Sequence, residues 1–134
     1  MNTTYFKDLI MGNVFRTKTT PAIPSDYYLG LSTTAPTESG TNITEPSTIG
    51  TGYQRIKLTS LSEPSSGKIT NTQLIAFPES EANWGLITHY VLFNSSTAGV
   101  PLMYGVFTQS RTVESDTVFT IKTGELELEL INPS

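Results

Sequence analysis

Apolar and polar residues alternate in a regular way along most of this chain, and the period changes once. In residues 3–16, TTYFKDLIMGNVFR, the apolar Tyr5, Phe6, Leu9, Ile10 and Val14 recur at helical spacing. That predicts one amphipathic N-terminal helix, with Asn2, Thr3 or Thr4 supplying the capping oxygen. Gly12 is its weak point, costing about 1 kcal/mol relative to alanine. Such a helix either plugs one end or face of the remaining fold or docks onto a neighbour. Residues 17–25, TKTTPAIPS, should be extended, because Pro21 and Pro24 forbid a continuing helix.

Beyond the prolines the period drops to two. DYYLGLSTT (26–34) places Tyr27, Leu29 and Leu31 on one face, and Tyr28, Gly30 and Ser32 on the other. YQRIKLT (53–59), GKITNTQLIAF (67–77), VPLMYGVFT (100–108) and DTVFTIKT (116–123) also read as strands, separated by turn-forming Gly, Ser, Asn and Pro. The last, ELELELI (125–131), alternates strictly, with Leu126, Leu128 and Leu130 inward and Glu125, Glu127 and Glu129 outward. The expected fold is all-β: one domain over residues 1–134, mainly an antiparallel β-sandwich, jelly-roll-like or Ig-like, with residues 1–16 as its short helix. Residues 35–52, APTESGTNITEPSTIGTG, break the pattern as a long loop or arm anchored only by Ile43 and Ile49.

The strand NWGLITHYVLF (83–93) is unusual because both of its faces are largely apolar. Strict alternation puts Trp84, Leu86, Thr88, Tyr90 and Leu92 on one side, with Gly85, Ile87, His89, Val91 and Phe93 on the other. A half-solvated antiparallel strand keeps one face polar. This one must be covered twice, by the core and by either the N-terminal helix or another subunit. Ile43, Ile49, Ile87, Tyr90 and Phe93 are therefore the candidate assembly interface.

The same strand holds the only tryptophan and the only histidine of the chain, so it is where chemistry would have to begin. His89 has no second histidine and no cysteine with which to share a metal. No G-x-S-x-G elbow and no phosphate-binding glycine loop occurs. The glutamate row of the last strand spaces its carboxylates about 6–7 Å apart, too far to close a calcium cage alone. No catalytic, cofactor or metal residue is predicted, and the chain is not expected to be an enzyme. A net charge of −4 with scattered Lys and Arg argues against nucleic acid as a partner. The apolar runs are too short to span a bilayer, and no signal peptide is evident. The absence of cysteine removes disulfides, and three sequons at Asn2, Asn42 and Asn94 matter only in a secreted eukaryotic protein. If the aromatic rings lie at the surface, Tyr27, Tyr28, Tyr53, Trp84 and Tyr104 form an alternative candidate site, a platform for sugar rings in host adsorption.

The order of several short stretches carries a resemblance. NVFRTKTTPAIPSDYYLGLSTTAPTESGT, GTGYQRIKL, ITNTQLIAFPESEANWGLITHYVLFNSSTAGVPLMYGVFT and SRTVESDTVFTIKTGELELEL together span nearly the whole chain. Asn71-Thr72, Phe77-Pro78, Trp84-Gly85 and Thr88-His89 are the most telling pairs. In these the chain resembles a group of small bacteriophage virion proteins, often labelled tail fibre or minor structural proteins. The acidic last strand departs from that pattern, where threonine is commoner. The resemblance implies a virion building block. On that reading the partners are other virion proteins, with a homo-oligomer or repeated copies on the particle, assembled in the host bacterial cytoplasm. The position would be tail, fibre, baseplate, neck or capsid surface.

Overall fold

A computed structural model describes residues 1–16 and 21–130. Residues 17–20 of the expected extended link and Ile131 of the expected last strand lie outside the described residues. One helix, α1 (Thr4–Phe15), precedes eight strands: β1 (Tyr28–Ser32), β2 (Ile56–Lys57), β3 (Lys68–Thr70), β4 (Ile75–Ala76), β5 (Gly85–Phe93), β6 (Pro101–Val113), β7 (Thr120–Ile121) and β8 (Glu127–Glu129). The fold is mostly β and antiparallel, with its one described helix at the N-terminus, as the periodicity predicts.

A four-stranded sheet runs in the order β2-β1-β5-β6, and two two-stranded sheets pair β3 with β8 and β4 with β7. Their facing side chains merge in one apolar cluster. The large sheet supplies Leu29, Leu31, Ile87, Tyr90 and Leu92, and the small sheets supply Ile121 and Leu128 with the adjoining Phe77, Phe119 and Leu126. Phe77 stacks near-parallel to Tyr53 and meets Phe119 edge-on, as aromatic pairs prefer.

Thr3 caps α1. Its hydroxyl accepts from the Phe6 amide at 3.2 Å and sits against the Pro101 and Leu102 carbonyls. The first three residues also lie along β6: Met1 accepts from the Tyr104 amide and the Thr3 amide donates to Leu102. The N-terminal end of α1 is thereby fastened to the sheet. Leu9 is its one buried residue and Phe6 packs against the core, whereas Tyr5 and Val14 of the expected stripe are 40% and 62% exposed.

The predicted strand 67–77 is split into β3 and β4 by Asn71. Its buried amide donates to the Gln73 and Lys122 carbonyls and accepts from the Leu126 amide. A side chain that satisfies backbone groups of three segments replaces a continuous ladder. Alternation in β5 is also broken. The register against β6 slips between Ile87 and His89, so Ile87 joins Tyr90 and Leu92 in the main core. Strict alternation had placed it with Val91 and Phe93, and a bulge resets which face follows.

Candidate functional site

Trp84 is buried, with its indole N–H donating to the Thr51 carbonyl at 2.8 Å and its ring edge-on to Tyr53. It covers the end of the core and anchors a loop. His89 is half-buried at the bulge, 2.7 Å from the Thr88 hydroxyl through Nδ1, and burial pulls its imidazole below the usual range. Among the described residues no carboxylate pairs with it, and no group of three His, Cys, Asp or Glu is placed to hold a metal. This strand serves packing.

The second face of β5 is closed by the long loop rather than by α1. Val91, Phe93 and Tyr104 form a small cluster, and Ile43 packs onto it. The expectation of helix or neighbour as the cover is thus corrected: residues 33–55 of the same chain do that work. A fork of charge-assisted bonds holds the loop there. Arg55 donates through Nε and Nη2 to the two oxygens of Glu45, at 3.0 and 2.7 Å. Its Nη1 donates to the Ser95 and Ala98 carbonyls in the β5–β6 turn, and its guanidinium lies 3.4 Å from the centroid of the Phe93 ring. Tyr53 donates to Glu45 at 2.5 Å and accepts from the Leu31 amide of β1 at 2.9 Å. Burial, with the Glu45 charge second, drives the Tyr53 phenol far above its ordinary range, so it stays a donor. Gly30 makes room for the fork: a Cβ there would stand 2.8 Å from Glu45 Oε2 and 3.0 Å from both Tyr53 and Phe93.

The expected interface residues divide. Ile87, Tyr90 and Phe93 are buried inside the chain itself, at 0, 8 and 4% exposure, so they offer no surface to a partner. Ile43 is half-buried under its own loop. Only Ile49 stands out, 88% exposed at a turn whose base is tied by the Thr51 hydroxyl to Ser47. The sugar platform does not assemble either. Tyr53, Trp84 and Tyr104 are buried, and Tyr27 and Tyr28 are half-buried on opposite faces of the strand region. The interface idea assigned the second face of the strand to the helix or a neighbour, and the loop covers it; the platform idea needed rings at the surface, and three of the five are buried.

The surface carries further apolar residues, one of them, Val14, from the expected helix stripe. Met11, Val14 and Phe15 on α1 are 58, 62 and 71% exposed, and Val106 of β6 is 68% exposed. Below α1 lies a groove of about 340 Å³, walled by Phe6, Ile10, Leu61, Met103, Leu128 and Leu130. Beside β8 a second groove is acidic, with Glu125, Glu127 and Glu129. Its charge is already partly met, since Lys68 bridges Glu127 and Glu129 and Arg111 pairs with Glu125. None of these surfaces has a nucleophile–base pair or a converging polar cradle.

A family model described as podophage GP4 fiber I protein gp80 matches residues 2–129. The chain belongs to that family. The match runs from the capped helix through β8. The family is one of phage fibre structural proteins, in agreement with the resemblance read from the sequence. Virion localisation follows from membership at that level. The comparison with curated proteins finds no match. No helix among the described residues is long and apolar enough to cross a membrane.

Proposed function

We propose that this chain is a non-enzymatic building block of a phage fibre that works through protein–protein contacts with other virion proteins and with further copies of itself. The observation that carries this is the Gp80 family match over residues 2–129. The surfaces support it. They offer apolar side chains and grooves without a reacting group, which suits docking rather than turnover. Sheets stitched by buried side-chain clamps such as Asn71 and Arg55 suit a rigid part. The position within the tail, baseplate, neck or capsid surface is a finer assignment, and we place it with the fibre on the family description.

The experiment is immunogold labelling of purified particles with antibodies to this chain, paired with mass spectrometry of the same particles. Label confined to fibres is the expected result. Particles that lack the chain would overturn the proposal, and so would turnover of host polysaccharide by the purified protein.

A further inference from the structure

We draw no further inference here: the strongest candidate, the apolar groove of about 340 Å³ below α1 walled by Phe6, Ile10, Met103 and Leu128, carries none because nothing in the structure shows what covers it.

Discussion

The two faces of β5 are closed in different ways. One face buries Trp84, Ile87, Tyr90 and Leu92 among the aliphatic and aromatic residues of the facing sheets. The other buries Val91 and Phe93 under a loop that contributes one isoleucine and a fork of directed hydrogen bonds from Arg55 and Glu45. The first face is stabilised by area, which tolerates any apolar side chain of suitable volume. The second depends on a few groups whose loss leaves a charge and several carbonyls stranded. The comparison predicts that the first face governs global stability and the second governs the loop.

Ile87→Ala should have the largest effect. The side chain is fully buried, so the substitution removes apolar area and leaves a cavity, costing about 2–5 kcal/mol. Urea unfolding should show a lower midpoint with an unchanged slope. Arg55→Ala should come next, at about 2–4 kcal/mol, because breaking a buried pair leaves Glu45 without its cation and the Ser95 and Ala98 carbonyls without a donor. Arg55 is 9% exposed and Glu45 21%, which keeps the figure below that for a fully enclosed pair. Hydrogen exchange should separate the two variants. Arg55→Ala should deprotect the Thr33 and Thr44 amides of the loop well before the β5–β6 ladder, whereas Ile87→Ala should lower both together. Equal deprotection in both would erase the distinction between the faces.

Gly30→Ala tests the same fork from β1, with a smaller effect of about 1–3 kcal/mol. Its backbone is ordinary strand, so the cost is steric: the new methyl would crowd Glu45, Tyr53 and Phe93. Combined with Glu45→Ala the penalty should shrink, because the nearest obstacle is gone. Strict additivity in that double mutant would show that the fork is not what holds glycine there.

What periodicity revealed follows the same division. The capped helix, β1 and the last strand repeat at fixed spacing and formed where that spacing put them, although Leu130, expected inward with Leu126 and Leu128, is 53% exposed beyond the end of β8. The loop fork could not be foreseen, since Glu45 lies in the aperiodic stretch, ten residues before Arg55 in an expected strand, and the two meet only once the chain folds back. Asn71 was hidden for a related reason, as a lone asparagine inside a strand-like run that satisfies backbone from elsewhere. Ile87, Tyr90 and Phe93 are buried within the chain, because the second apolar face is met by the chain's own loop, a cover that strand periodicity does not reveal. The helix patch had a visible signal. Met11 and Phe15 are apolar on the side away from the Leu9 stripe, so the helix is apolar on more of its circumference than one contact needs.

The smallest predicted effect returns to His89. Burial pulls its imidazole below the usual range while the second face, the bulge and Thr88 surround it without a carboxylate. The unfolded chain therefore takes up a proton near pH 6.5 that the native state still refuses. More protons bound to the unfolded state means that stability rises with pH in this window and falls as pH drops through it. The ring is only half-buried, so the slope is shallow and screened. His89→Gln should flatten the melting temperature between pH 7 and about 5.5 without moving it much at pH 7. A slope that survives the substitution would assign it to the carboxylates instead. A His89→Gln variant that folds normally but drops out of particles would give this residue a part in docking that packing alone does not.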